Sequence, residues 1–159
     1  MARHLLTRPT YGRLAEEFYD LTTRGRIQVA EKIERAREMG DLSENGDYHA
    51  AKDEQGHMEG RIRQLGGILE DYEIVERGQE GTVSIGCVVC FIYEGDDDDL
   101  AETYFIGHIE ERREGIETMS PDAPLGGALL NRRIEECVEY EAPNGNKLQV
   151  RILSVEHFA

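Results

Sequence analysis

The feature of this sequence that most constrains its fold is a stripe of mostly apolar residues between Tyr48 and Tyr72. The members follow one another in alternating steps of three and four residues, and one of them, Gln55, is polar. They are Tyr48, Ala51, Gln55, Met58, Ile62, Leu65, Leu69 and Tyr72. Such steps place side chains on one helix face, and a repeat of seven residues is the pattern of a coiled coil. The stretch predicts one long helix with a face for a partner.

A second stripe precedes it and supplies the partner. It consists of Leu14, Phe18, Leu21, Gly25, Val29, Ile33 and Ala36. Thr7, ahead of Pro9, is a suitable start signal for this first helix. Two helices joined by a short break pack as an antiparallel hairpin, here an arm of about 45 Å if each helix holds roughly 30 residues at ~1.5 Å each. Gly25 sits inside the first helix, and Gly66 and Gly67 inside the second, each at a cost of ~1 kcal/mol relative to alanine; Gly66 and Gly67 predict a bend or a contact with the other domain.

The break between the helices carries two carboxylates, Asp41 and Glu44, three residues apart. Asn45 favours a turn there, and an Asp or Asn can cap the second helix. Two carboxylates suit Mg²⁺, which takes one or two of them and keeps water or phosphate oxygens as its other ligands. They would form an incomplete site, which a partner could finish. The alternative is purely structural, because Asp41 or Asp47 could instead complement the N-terminus of a helix.

Beyond a linker at 76–81 the pattern changes from helix to strand. Residues 82–93, 103–106, 138–141 and 148–155 are rich in strand formers, and 121–130 predicts a loop with a short helix. The asparagine and glycine at 144–145 are typical of a hairpin turn. The fold class is therefore α+β, with a helical hairpin over 1–76 and a small antiparallel-sheet domain with one short helix over 77–159.

Charge limits the partners of this chain. Its 159 residues carry a net charge of −15. Residues 1–76 hold 11 basic and 16 acidic side chains, and 77–159 hold 7 and 17. Broad attraction to nucleic acid is thereby excluded. A local basic run on the first helix could still meet a negatively charged partner, or could simply be a solvated helix face of mixed sign; it comprises Arg24, Arg26, Lys32, Arg35 and Arg37.

The remaining reactive residues predict no site of their own. Cys87 and Cys90 form a C-x-x-C pattern on a strand, where their side chains point to opposite faces, so they are expected to be buried thiols. The run of four aspartates at 96–99 lacks calcium-site spacing and predicts a solvated turn. No apolar run could span a membrane and the start lacks signal-peptide features, so a cytoplasmic protein is expected.

Two long motifs resemble a known family. Residues 40–56, GDLSENGDYHAAKDEQG, resemble the tip signature of the bacterial Gre-type transcript cleavage factors, the GreA group in particular. The likeness continues through Glu59-Gly60-Arg61-Ile62. Residues 120–130, SPDAPLGGALL, resemble the C-terminal signature of the same family. The resemblance covers almost the whole chain, and the motifs stand in the family's order.

The resemblance implies a fold and a mode of action. It implies an N-terminal antiparallel coiled coil and a C-terminal FKBP-like domain that docks at the rim of the RNA polymerase secondary channel. The coiled coil would enter the channel, where Asp41 and Glu44 would position Mg²⁺ and water. The polymerase itself would then cleave backtracked nascent RNA. The factor would be an accessory protein and not an enzyme, with no metal tightly bound when free.

The resemblance also implies roles for further residues. Leu42, Ser43, Asn45 and Tyr48 would shape the tip. Arg37 and Lys52 would contact the RNA 3′ segment. Docking on the polymerase would involve Ser120, Pro121, Pro124, Leu125 and Gly126. The free protein is expected to be monomeric and to bind polymerase one to one.

Some positions depart from the family pattern. Gly46-Asp47 stands where Ala-Glu is common, Lys52 where Arg is frequent, and Asn131 where Gly is common. The Lys52 change removes a bidentate phosphate contact, so it affects RNA contact more than the cleavage role.

Two alternatives remain beside a cleavage factor. One is a paralogue that occupies the channel without promoting cleavage. The other is a peptidyl-prolyl isomerase, whose aromatic pocket would draw on Tyr93, Tyr104, Phe105 and Tyr140.

Overall fold

The computed structural model describes residues 3–40 and 45–158. The chain divides into a helical unit, Tyr11–Tyr72, and a second unit made of the residues up to Thr10 together with those from Glu73 onward. The predicted division was 1–76 and 77–159, so the structure differs from it by placing the N-terminal segment with the C-terminal residues. Within the described residues, no helix is long and apolar enough to cross a membrane.

The helical unit is an antiparallel hairpin. Its first arm consists of α1 (Arg8–Asp20), a π-helical segment (Leu21–Gly25) and α2 (Arg26–Arg37). The second arm is the single helix α3 (Gly46–Glu70). Ion pairs between the arms run in opposite sequence directions, which establishes the antiparallel arrangement; they join Glu17 to Arg61, Arg26 to Glu59 and Lys32 to Glu54.

The two predicted stripes meet in the core of the hairpin. Their buried members are Leu14, Val29, Ile33 and Ala36 on one arm and Ala51, Ile62 and Leu65 on the other. Near the end of α3, Ile68 is buried while Leu69 is only half-buried. Gly66 faces the Phe18 ring of the first arm, and α3 continues through Gly66 and Gly67 without interruption. Helix α3 therefore has no break at the two glycines where the sequence predicted a bend.

The sequence predicted one continuous α-helix for the first arm. The structure instead contains a π-helical segment between α1 and α2. In the π segment the hydroxyls of Thr22 and Thr23 donate to the carbonyl oxygens of Phe18 and Tyr19, at 2.8 and 2.7 Å. The stripe passes Leu21, Gly25, Val29 and Ile33 in steps of four, which drift around an α-helix of 3.6 residues per turn. A wider π turn takes up that drift and keeps the apolar side chains facing α3.

The N-terminal segment is part of the second unit. Strand β1 (His4–Leu6) pairs with β2 (Tyr72–Ile74) in a two-stranded sheet. Thr7 confirms the predicted helix start, because its hydroxyl oxygen accepts from the Thr10 backbone N–H at 3.4 Å. The buried carboxylate of Glu111 accepts from the Thr7 N–H and hydroxyl and from the Thr10 hydroxyl, at 2.7–3.1 Å. These bonds join the segment to the loop that holds Glu111.

The core of the second unit is a five-stranded sheet. Its strands are β3 (Cys87–Tyr93), β4 (Glu102–Ile106), β5 (Glu117–Met119), β6 (Cys137–Glu141) and β7 (Lys147–His157). They lie in the order β5-β4-β3-β7-β6. All pairs are antiparallel except β4 with β5, so the sheet is mixed, whereas the sequence predicted an antiparallel one. Helix α4 (Pro124–Leu129) packs beside β6 and covers the core.

The three cysteines are free thiols. Cys87 is buried, as predicted, and burial raises its pKa. Cys90 is only half-buried, and Cys137 is exposed. The four aspartates at 96–99 are exposed after β3, as predicted, and Asp98 and Asp99 begin a short 3-10 helix that ends at Leu100.

Candidate functional site

The end of the helical hairpin is the first part of the candidate site. Helix α2 ends at Arg37 and α3 begins at Gly46. Asp41, Leu42, Ser43 and Glu44 lie outside the described residues, so their predicted roles in binding metal and shaping the tip stay predictions. Among residues 3–40 and 45–158, no group of three or more His, Cys, Asp or Glu side chains could hold a metal ion.

Asn45 joins the two helix ends at this tip. Its side-chain oxygen accepts from the backbone N–H of Tyr48 at 3.0 Å, which is the predicted cap of α3. Its side-chain nitrogen donates to the carbonyl oxygen of Ala36, in the last turn of α2, at 2.5 Å. One partly buried side chain therefore satisfies a free donor of one helix and a carbonyl near the end of the other.

Two other tip residues lie in the first turn of α3. Asp47 is exposed, where a negative charge is favourable near a helix N-terminus. Tyr48 is half-buried, and its ring meets His49 edge-on with 5.6 Å between ring centroids. The structural role that the sequence left open for carboxylates near the tip thus holds for Asp47.

The basic run on the first arm is largely neutralised. Arg24, Arg26 and Lys32 pair with Asp20, Glu59 and Glu54 respectively. The hydrogen bond from Arg26 holds the pKa of Glu59 below its usual value, and Glu59 raises the pKa of Arg26. The mixed-charge interpretation is therefore correct for three of the five basic residues.

Arg35 and Arg37 are the basic residues closest to the end of α2. Both are exposed, and neither forms an ion pair within the described part of the chain. Lys52, in the second turn of α3, is exposed and donates to the Gln55 side-chain oxygen at 3.0 Å. A shallow groove of about 360 Å³ between α2 and α3 is lined by Lys32, Arg35, Ala36, Met39, Asp47, Ala50, Ala51 and Glu54.

The C-terminal block, residues 120–130, contains both exposed and buried residues. Ser120 and Pro124 are exposed and Pro121 is half-buried, so these three can meet a partner. Leu125 and Gly126 are buried. A Cβ atom at Gly126 would overlap the carbonyl oxygen of Ser120. The docking role predicted for these five residues stays a prediction; in this structure Leu125 and Gly126 support residues 120–130 from inside.

A cavity of about 580 Å³ opens beside this block. It is lined by Arg3, His4, Leu5, Ile85, His108, Ile109, Ser120, Pro121 and Asp122. The Ile109 side chain is 81% exposed at this cavity. Sequence reasoning missed the contribution of His4, His108 and Ile109, because they come from distant segments that no local motif connects.

Of the aromatic side chains proposed for an isomerase pocket, three lie close together: Tyr93 and Tyr104 both contact the Phe91 ring, and Tyr140 bonds to Tyr93. Tyr93 and Tyr140 share a hydrogen bond of 2.9 Å between their hydroxyl groups, and Tyr104 stacks on Phe91. Phe105 is fully buried and carries the Arg113 guanidinium over its ring at 4.6 Å. The three tyrosine rings pack against the core of the sheet, so their contacts are those of a structural cluster.

The N-terminal and C-terminal halves of the chain each match a family of known proteins. Residues 4–74 match the family described as "Transcription elongation factor, N-terminal" and residues 78–157 match "Transcription elongation factor, GreA/GreB, C-term". Transcription elongation factor GreA of Streptomyces coelicolor is 43% identical over 96% of this chain and 93% of that protein. The GreA of Rhodococcus erythropolis is 42% identical over 96% and 94%. The crystal structure of Thermus aquaticus Gfh1 aligns over 98% and 99% with 24% identity and a TM-score of 0.44.

The family matches over 4–74 and 78–157, together with the GreA relatives, define a transcription factor that acts during elongation. The chain belongs to the GreA/GreB family of transcription elongation factors.

Proposed function

We propose that this chain inserts its helical hairpin into the secondary channel of RNA polymerase and stimulates the polymerase's own cleavage of backtracked nascent RNA. The observation that carries the proposal is the tip itself. Asn45 ties together the end of α2 and the start of α3, and Asp41 and Glu44 lie between these two helices in the sequence. Family membership supports an action during elongation, and the hairpin supports delivery of residues at the end of an arm.

Asp41 and Glu44 would hold Mg²⁺ jointly with the polymerase. Their hard carboxylate oxygens suit the ion, which leaves its other positions to water, phosphate or the partner's ligands. A bound Mg²⁺ would supply activation of water and stabilisation of the leaving oxygen. The chain contributes two ligands and their position, so it is an accessory factor rather than an enzyme. We expect the free protein to bind Mg²⁺ weakly.

Other contacts would fix the complex. Arg37 and Lys52 would meet phosphates of the RNA 3′ segment, with Lys52 acting as a point charge. Ser120, Pro121 and Pro124 would dock on the polymerase from the second unit. We expect a monomer that binds polymerase one to one in the cytoplasm.

The test is transcript cleavage in backtracked complexes with Asp41→Asn and Glu44→Gln. Each substitution keeps the side-chain shape and removes the charge. Each should lower the cleavage rate at least tenfold, which corresponds to ~1.4 kcal/mol or more. Asp47→Asn is the matched control, because Asp47 is an exposed carboxylate of the same tip with no proposed ligand role.

Binding to polymerase should be measured in parallel by competition. Undiminished cleavage by both tip variants would refute the ligand role. Wild-type protein that binds polymerase and leaves the RNA uncut would assign the chain to the non-cleaving paralogues.

A further inference from the structure

Two histidines that are 104 residues apart in the sequence share a hydrogen bond in the wall of the cavity beside Ser120 and Pro121. The Nδ1 atom of His4 lies 2.8 Å from Nε2 of His108. The ring centroids are 5.0 Å apart and the ring planes are inclined by 59°. His4 is the first residue of β1, and His108 follows β4 by two residues. The proposed mechanism of cleavage uses neither side chain.

A second hydrogen bond fixes where the shared proton lies. The backbone N–H of Glu110 donates to Nδ1 of His108 at 3.0 Å. A backbone N–H can only donate, so Nδ1 of His108 carries no proton. Neutral His108 therefore carries its proton on Nε2 and donates it to Nδ1 of His4. The arrangement requires both imidazoles to be neutral, with His4 protonated on Nε2.

The same geometry disfavours a metal ion between the two rings. A neutral histidine that binds metal through Nε2 carries its proton on Nδ1 and donates it to a neighbour. Here Nδ1 of His108 faces the Glu110 N–H donor instead. A proton is therefore the ligand that the pair is built to share.

Protonation of either ring removes a hydrogen bond. A proton on Nδ1 of His4 would face the Nε2–H of His108, so two donors would meet. A proton on Nδ1 of His108 would meet the Glu110 N–H in the same way. Burial and the nearby His4 charge lower the pKa of His108, while Glu110 and Glu111 act in the opposite direction.

The charged groups around the pair come from every neighbouring segment. Arg3 precedes His4 and pairs with Glu73 at 3.5 Å. Glu110 and Glu111 are buried, at 4% and 2% exposure, and Arg112 lies 4.0 Å from Glu110. Asp122 lines the same cavity.

We propose that the His4–His108 pair is a proton-sensitive contact that holds β1 against the loop after β4, and that its protonation reshapes the cavity and weakens docking of RNA polymerase at Ser120 and Pro121. The docking half rests on the proposed function, whereas the opening of the contact does not. Since the pKa of His108 in the folded protein lies below its ordinary value of about 6.5, the unfolded chain takes up this proton first. The stabilisation that the neutral histidine pair gives to the folded protein is complete above the ordinary pKa of about 6.5. It is lost as the pH falls through the lower pKa of His108 in the folded protein.

The first experiment follows the contact alone, in the full chain. Imidazole ¹⁵N shifts at pH 7.5 should show both rings protonated on Nε2. Amide hydrogen exchange of residues 4–6 and Glu110, corrected for intrinsic rates, should increase at least fivefold between pH 7.5 and 5.5. A proton on Nδ1 of His108 at pH 7.5, or pH-independent protection of these amides, would overturn the proposal.

The second experiment follows docking. Polymerase affinity of the wild type should fall at least threefold more between pH 7.5 and 5.8 than that of His108→Gln, whose amide cannot titrate. His4→Gln should likewise flatten the pH dependence, which keeps the test valid if one variant folds poorly. His57→Gln, on an exposed position of α3, is the control and should behave as wild type.

The two halves can fail separately. Equal pH dependence in all variants would overturn the link between the contact and docking. Absence of polymerase binding at every pH would refute the proposed function, while the amide exchange would still decide whether the contact opens.

Discussion

The side-chain nitrogen of Asn45 donates to the carbonyl oxygen of Ala36 at 2.5 Å, across the end of the helical hairpin. The same carbonyl accepts from the Met39 backbone N–H at 3.1 Å, so both of its lone pairs are used. Because the Asn45 oxygen also caps α3, one side chain sets the spacing of the two helix ends. Position 45 thus offers substitutions that separate capping from bridging.

Asn45→Ser keeps an N-cap hydroxyl but loses the donor to Ala36. We expect the free energy of unfolding to fall by about 1 kcal/mol, the value of one hydrogen bond, and by about 2 kcal/mol for Asn45→Ala, which also loses the cap. Chemical denaturation measures both. Cleavage stimulation by the Ser variant should fall about tenfold with polymerase affinity unchanged. The reason is that the end of α2 and the start of α3 are then no longer joined by the Asn45–Ala36 hydrogen bond.

Asn45→Asp is a second test of the bond between Asn45 and Ala36, at the same position. It keeps the cap acceptor and replaces only the donor, so it should impair cleavage as much as the Ser variant does. Full cleavage activity in both variants would show that the bridge does not position the tip.

Gly126 and Gly67 should respond to alanine with opposite signs. A Cβ at Gly126 meets the Ser120 carbonyl oxygen, and backbone cannot yield cheaply, so Gly126→Ala should destabilise the second unit by about 2 kcal/mol or more. Gly67 is exposed on α3 with nothing within 4 Å of its added Cβ. Gly67→Ala should stabilise the helical unit by about 0.5–1 kcal/mol. Thermal unfolding of both variants would expose an error in either sign.

Asn131 has a left-handed backbone, with φ of 68°, directly after the α4 region. Its N–H donates to the Val83 carbonyl oxygen at 2.8 Å, so this conformation is tied to the sheet unit. Alanine tolerates left-handed φ poorly, so Asn131→Ala should cost about 1 kcal/mol of unfolding free energy, while Asn131→Gly should equal or exceed wild type. An alanine variant as stable as the glycine variant would contradict the assigned conformation.

Glu111 joins the N-terminal segment to the loop after β4. Three donors from Thr7 and Thr10 converge on its two oxygens. Glu111→Gln can keep its oxygen toward the Thr7 N–H, but its NH₂ then faces the Thr10 hydroxyl and the remaining bonds lose their charge, so we expect a loss of about 2 kcal/mol. Glu114→Gln, at an exposed position of the same region, should change the unfolding free energy by less than about 0.5 kcal/mol. Equal effects of the two substitutions in urea denaturation would refute the role of Glu111.

The helical arms were predictable because their signal is local. Alternating steps of three and four identified α3, and the buried Ala51, Ile62 and Leu65 confirm that face. The π segment was missed, although three consecutive steps of four around Gly25 and Val29 indicated a wider turn. The capping role of Asn45 could be predicted, but its bond to Ala36 could not, since it joins residues nine positions apart through a break.

The second unit was predictable in its strands and less so in their pairing. Turn chemistry identified the hairpin of β6 and β7, whereas the parallel contact of β5 with β4 has no local signature. The same holds for His4 with His108, because contacts over about a hundred residues depend on topology rather than on any nearby pattern. The two carboxylates at 41 and 44 remain known from the sequence alone.

Because the residues up to Thr10 fold with those from Glu73 onward, the helical hairpin is an insertion within a host domain rather than a leading domain. A fragment that starts at residue 77 would lose β1 and leave the Glu111 carboxylate buried without Thr7 and Thr10. Exchange of hairpins between relatives should therefore be made at two junctions, near residues 10 and 73. Cut in this way, the exchanged segment carries most of α1 and all of α3, and the host retains β1 together with Glu111 and its partners Thr7 and Thr10.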